Sequence, residues 1–256
     1  MCQTFSCVVT RNGKVFWEAG VDSHDDLIHK FKVRDDTVDM EEISHAKIEI
    51  IPNNRNKYPY LYPDGKWKLQ IDEQVTPSWF MQLHKDKAWE AWAEWKDVVY
   101  QFNVKEALHP VNPLKSRKGK PSKQDILLLK EWDSVGDSVW ASVGASVGDS
   151  VWASVGDSVW ASVRDSVGDS VGDSVRASVR ASVGDSVRAY IGSLFPNIET
   201  WKYIKHEQGK YPYQSCVDLW KRGLIPSFDG KAWRLHSGKN ASIVFEITRK
   251  ELMKVK

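Results

Sequence analysis

DSVGDSVWASVGASVGDSVWASVGDSVWASVRDSVGDSVGDSVRASVRASVGDSVR, residues 133–188, is one four-residue phrase, (Asp/Ala)-Ser-Val-(Gly/Trp/Arg), said fourteen times without an insertion. A blurred copy follows as Ala189-Tyr190-Ile191-Gly192. A short period means that one local conformation is reused, each unit burying its apolar face against a neighbour. Only Gly, Trp and Arg fill the fourth position, and their GGG, TGG and CGG or AGG codons differ at the first base. Asp and Ala at the first position differ by one base in the middle of the codon. The array therefore reads as a recently duplicated four-codon DNA unit whose copy number varies between relatives. Such variation suits a spacer, a ruler or an extended binding face better than a catalytic site.

Two conformations compete for the repeat. In a helix, Ser, Val and Asp each cost about 0.5 kcal/mol relative to Ala and Gly about 1 kcal/mol, a sum on the order of 20 kcal/mol over the array. A period of four also drifts about 40° per unit around a 3.6-residue helix, so the Val stripe winds right round it. In an extended chain Val alternates with Ser, Val pointing inward and Ser outward, with bends at Gly and Asp. This balance favours a β-solenoid, the alternative being a long α-helix or helical hairpin.

The rest of the composition is that of a globular protein: 256 residues, 41% hydrophobic, 27% charged, net charge +2. So small an imbalance gives no general attraction to nucleic acid or to an anionic membrane. Cys2, Cys7 and Cys216 are an odd number without disulfide-like or metal-like spacing, which points to a reducing compartment. With no secretory h-region and no apolar run of the roughly 20 residues that a span requires, a cytoplasmic protein without a membrane partner is expected. Asn240-Ala241-Ser242 matches a glycosylation acceptor only by chance in that setting.

Composition divides the chain into an α+β domain over 1–108, a basic Pro-rich linker over 109–124, the repeat array over 125–196 and an α+β capping or binding domain over 197–256. The linker run HPVNPLKSRKGKPSK holds three prolines and five basic residues without an acid. In the first domain, Asn12-Gly13 between two β-prone runs predicts a hairpin. Ser23 before Asp26 predicts a capped helix carrying Leu27, Ile28 and Phe31. Strands are expected over 47–51 and 67–71, and a helix from Pro77 to Val99 carrying Trp89, Trp92 and Trp95. In the last domain, 216–222 reads as an amphipathic helix ended by Gly223, 224–230 as a turn, and 232–236 and 242–246 as strands.

Candidate binding residues come from two places. In the repeat, Trp140, Trp152 and Trp160 follow Trp132 at the entrance, and Arg164, Arg176, Arg180 and Arg188 come later, so an aromatic half precedes a cationic half. If they face solvent, one end suits stacking and the other suits anions. Eight Asp against four Arg leave the array at −4, a poor surface for duplex DNA. In the tail, Trp220, Arg222, Trp233, Arg234 and His236 either line a polar-aromatic face or form a core that caps the array.

Ala-Ser-Val-Arg is similar to the Ala-polar-aliphatic-polar core of pentapeptide-repeat proteins, which form right-handed four-sided solenoids. Each unit here is one residue shorter, which cramps the corner, and an inward Asp is costly. Some members of that family imitate DNA, a role for which Asp133, Asp137, Asp149 and Asp157 are the matching charges. Ile71-Asp72-Glu73 and Pro77-Ser78-Trp79-Phe80 upstream of a Ser-Val repeat also resemble uncharacterised repeat proteins of bacteriophages and gut bacteria. That resemblance implies a bacterial or phage-infected host cell and no particular activity.

Catalytic patterns are sparse. Cys2, exposed as a terminal residue by removal of Met1, has the form of an N-terminal nucleophile with its own amine as base, but Gln3 replaces the Gly of the amidotransferase opening. Arg222-Gly223-Leu224-Ile225-Pro226 echoes the Trp-Gly-Leu-Ile-Pro motif of proteins that trap abasic DNA through Cys2, without the rest of that pattern. The seven histidines show no ligand spacing, and no phosphate loop or nucleophile elbow is present. The expectation is a non-enzymatic structural or protein-binding protein without cofactor or metal, its repeat a rigid spacer or display surface. The alternatives are nucleic-acid association or DNA mimicry, and an N-terminal-Cys hydrolase.

Overall fold

The computed structural model describes residues 5–34, 43–73, 75–114, 120–150, 153–165 and 180–256. The chain forms two compact units, residues 1–101 with 151–158, and residues 102–150 with 159–256.

In the first unit β1 (Phe5–Thr10), β2 (Val15–Phe16), β3 (His45–Pro52) and β4 (Trp67–Ile71) make an antiparallel sheet in the order β2-β1-β3-β4. The hairpin turns at Asn12-Gly13, where Gly13 takes a φ of 81° that a side chain resists. Between β2 and β3, Ser23 accepts from the Asp26 N–H and starts α1 (His24–Phe31). β1 is buried on both faces: Val8 packs with Leu27 and Ile28 of α1, and Phe5 meets Trp95 of α2 (Gln82–Val99). That helix starts later than Pro77, because Pro77 closes a separate turn through the Phe80 N–H and the His84 ring accepts from the Met81 N–H as a cap.

The second unit contains α3 (Val104–Leu108), α4 (Lys123–Val135), a 3-10 turn (Gly136–Ser138), α5 (Val139–Ser150), the end of α6 (Ala153–Val163) and α7 (Arg180–Gly192). α8 (Gln214–Lys221), β5 (Ile225–Phe228), β6 (Ala232–Ser237), β7 (Ser242–Thr248) and α9 (Arg249–Leu252) follow. The three strands form an antiparallel sheet in chain order. β5 lies where a turn was expected; its Pro226 is tolerated because the strand is at the sheet edge. α4 packs on α8, α5 on α7, and α7 on both α8 and β5. Leu129, Trp132, Val139, Val143, Tyr213, Cys216, Leu219 and Leu235 fill the core between them.

The β-solenoid is overturned: the described repeat residues are helical, and both sheets lie outside the repeat. With it falls the pentapeptide-repeat-like architecture. Nor is the repeat one long rod, since α5 packs on α7; the described helices α5, α6 and α7 are 12, 11 and 13 residues long. Length is the physical reason. A drift of about 40° per unit accumulates to about 120° over three units, close to the width of an ordinary apolar stripe. Three-unit helices therefore keep Val139, Val143, Val159, Val163, Val183 and Val187 buried. A helix spends roughly 1.5–2 kcal/mol per unit in propensity, and full burial of one Val contributes about as much.

Several adjacent serines share this buried face and find tertiary partners, while the Ser142 hydroxyl is buried without one among the described residues. Ser162 donates to the Ala107 carbonyl at 2.7 Å, Ser146 accepts from the Lys202 N–H at 2.9 Å, and Ser138 bonds the Tyr213 hydroxyl at 2.9 Å. At Gly144, Gly156 and Gly184 the fourth position is left outside, where an added methyl would touch nothing, whereas at Gly136 it would meet the Trp132 indole. The segment expected as a linker is packed where described. Leu114 is buried, and Val111 donates its N–H to the Tyr190 hydroxyl oxygen and accepts at its carbonyl from the Trp220 indole.

Candidate functional site

The fourth position of the repeat supplies the side chains for an aromatic-cationic cluster of the second unit that faces solvent. Arg188 projects from α7, Trp140 from the start of α5 and Trp160 from α6. The guanidinium carbon of Arg188 lies over both indoles, no more than 4.5 Å from either ring centre. Trp140 is 62% exposed, so one residue of the cluster remains open. The Nε of Arg188 is buried and meets no hydrogen-bond acceptor among the described residues. The indole faces supply the compensation, since their quadrupoles attract a cation that water no longer solvates.

Two carboxylates adjoin this cluster. Asp185 sits one turn before Arg188 on α7, and burial pushes its carboxyl up to about 6, opposed by Arg188 and reinforced by repulsion from Asp137. The same burial brings Arg188 down to about 10, against the pull of Asp185. Asp137 is exposed in the 3-10 turn, three residues before Trp140. Neither Asp forms an ion pair within 4 Å among the described residues. Sequence reasoning had placed Asp137 only in a charge pattern and had not singled out Asp185. The available signal was their first position in units that end in Trp140 and Arg188.

Of the other repeat candidates, only Arg164 has a described side chain. Arg164 is exposed near Asp165. Trp152 and Arg176 lie outside the described residues, and for Arg180, the first residue of α7, so does the side chain. Trp132 is buried with its indole against Gly136 and its edge toward Tyr213.

The structure uses the five tail candidates in the fold. Trp220 is fully buried, stacks on Tyr190 and donates to the Val111 carbonyl. Trp233 stacks on Phe228 and donates to Asp133 at 2.6 Å, a carboxylate that also pairs with Arg249. Arg222 bonds the wholly buried Asp125 at 2.6 Å, and Arg234 bridges Asp229 and Glu246. His236 is buried, which lowers its pKa; its ring bonds the Ser227 hydroxyl and the Ala241 carbonyl.

The described thiols are poor nucleophiles. Burial pushes Cys216 up to about 12 and Cys7 higher still. Cys2 lies outside the described residues. No group of three or more metal-ligating side chains occurs among the described residues, and none of their helices is long and apolar enough to cross a membrane. No protein-family model matches the chain, and neither a curated protein nor a solved structure shows a significant likeness to it.

Proposed function

We propose that the chain is a non-enzymatic protein-binding module whose helical repeat displays Trp140, Arg188 and Trp160 as its contact cluster. The observation that carries this reading is their convergence. Residues far apart in sequence, all from the fourth repeat position, meet in one cluster and leave Trp140 62% exposed. Trp and Arg are the side chains most often found at the energetic centre of protein interfaces, where large planar groups bury area at low entropic cost. A cytoplasmic setting is part of the proposal, supported by the free thiols of Cys7 and Cys216.

Selection of binders from a displayed peptide library tests it. Peptides selected on the intact chain are expected to lose affinity about tenfold or more when Trp140→Ala and Arg188→Ala are combined. Binders indifferent to both changes would reject the cluster as the contact face. A salt-sensitive gel shift with nucleic acid would favour the nucleic-acid reading instead, and electrophile labelling abolished by Cys2→Ala would favour the hydrolase.

A further inference from the structure

Arg188 shows what the indoles of this cluster hold: a guanidinium, lying over Trp140 and Trp160. Trp140 nevertheless keeps most of its surface open to solvent. Asp137, in the 3-10 turn that runs into α5, lies three residues before Trp140, a spacing that makes helical side chains neighbours. It is exposed and unpaired among the described residues, and it is close enough to Asp185 for the two carboxylates to repel. An open indole face and an unneutralised carboxylate are together complementary to a cation.

We propose that the Trp140–Asp137 face docks an arginine-bearing basic segment of a partner protein, a step that rests on the protein-binding reading above. The incoming guanidinium stacks on the open side of Trp140, as Arg188 does on the side it occupies, and donates to the Asp137 carboxylate. Arginine suits this geometry better than lysine: it is planar, stacks on aromatic faces and is less strongly hydrated than an ammonium. An acidic partner would approach Asp137 and Asp185 and find the guanidinium of Arg188 already engaged with the indoles.

Acid weakens the site. The charged or titratable groups that face Asp185 are Arg188 on its own helix, Asp137 in the 3-10 turn and Cys216 on α8, whose thiol burial keeps neutral. As pH falls through about 6, Asp185 takes up a proton and the local negative charge drops.

The test uses the full chain and a fluorescein-labelled peptide of alternating arginine and serine, read by anisotropy at low salt, with lysine and glutamate peptides of equal length beside it. The arginine peptide is expected to bind tightest, and Trp140→Ala and Asp137→Asn are each expected to weaken it about tenfold. Tyr203→Ala, which removes an exposed aromatic elsewhere in the same unit, leaves binding unchanged. Weakening between about pH 7.5 and about pH 5 disappears in Asp185→Asn. Arginine-peptide affinity that survives Trp140→Ala and Asp137→Asn, in variants with wild-type circular dichroism, overturns the proposal. A preferred glutamate peptide that depends on Trp140 overturns the basic partner but leaves the protein-binding cluster. If no peptide depends on Trp140 or Arg188, both fail.

Discussion

Asp185 is held in the fold at a pKa of about 6 by burial, whereas in the unfolded chain an aspartate titrates near about 3.9. Below about pH 4 both states carry the proton, and between about 4 and 6 only the folded state keeps it, so stability falls as pH rises through that window. Above it the ionised carboxylate is a constant cost. Asp185→Asn is therefore expected to stabilise the protein at about pH 8, by about 1 kcal/mol once solvent screening at a half-exposed site is allowed for, and to change little at about pH 3.5. Urea unfolding at the two pH values measures the difference, and no gain at the higher pH would mean that Arg188 already compensates the burial. Gly192 is a residue with the opposite sign. A methyl there would run into the Tyr211 ring and Val143, and the Tyr211 hydroxyl donates to the Ala189 carbonyl at 2.5 Å. Gly192→Ala is expected to lose about 1–3 kcal/mol by overpacking, visible as a lower urea midpoint.

Helices of about three units leave Gly144, Gly156 and Gly184 at positions where nothing packs on them. Gly144 and Gly184 carry only their intrinsic helix cost, because nothing lies near the methyl that alanine would add. Each change to Ala is expected to raise stability by about 0.5–1 kcal/mol, nearly additively, as a rise in thermal midpoint. The hairpin at Asn12-Gly13, the Ser23 cap and β4 were legible from sequence because each is specified within a few residues. The fate of the repeat was not, for a definite reason. Propensity and drift were summed over one continuous element, whereas each described helix spans about three units, too few for the Val stripe to leave its face, and tertiary burial then outweighs propensity. The candidate site divides the same way. That Trp and Arg share the fourth position with Gly is read directly from the period. That Trp140, Trp160 and Arg188 meet is not, because each comes from a different helix. Trp220, Trp233 and Arg222 looked like a polar-aromatic surface because their partners, Val111, Asp133 and Asp125, are distant in sequence.

At the scale of the second unit, the repeat is not self-sufficient in the way a solenoid would be. Its Ser-Val face is completed by residues beyond the array: α4 packs on α8, α7 packs on α8 and β5, and Trp132, Val139 and Val143 share a core with Tyr213, Leu219 and Leu235. Hydrogen bonds cross the same boundary, from Lys202 to Ser146, between Tyr213 and Ser138, and from Trp233 to Asp133. Isolated helices shorter than about 12–15 residues are marginal in water even when rich in alanine, and these are rich in Ser, Val and Gly. A fragment of residues 123–197 is thus expected to show weak far-UV circular dichroism and no cooperative thermal transition, while the intact chain shows strong helical bands and melts cooperatively. Adding back the chain to residue 256 should restore the transition. A fragment that melted cooperatively at the midpoint of the intact chain would mean that unit-to-unit contacts along the repeat suffice, and that the tail is an accessory to a core the array builds alone. Loss of the transition instead ties display of Trp140 and Arg188 to the tail, since the helices that present them hold their places only while Trp201, Tyr213 and Leu219 complete the core beneath.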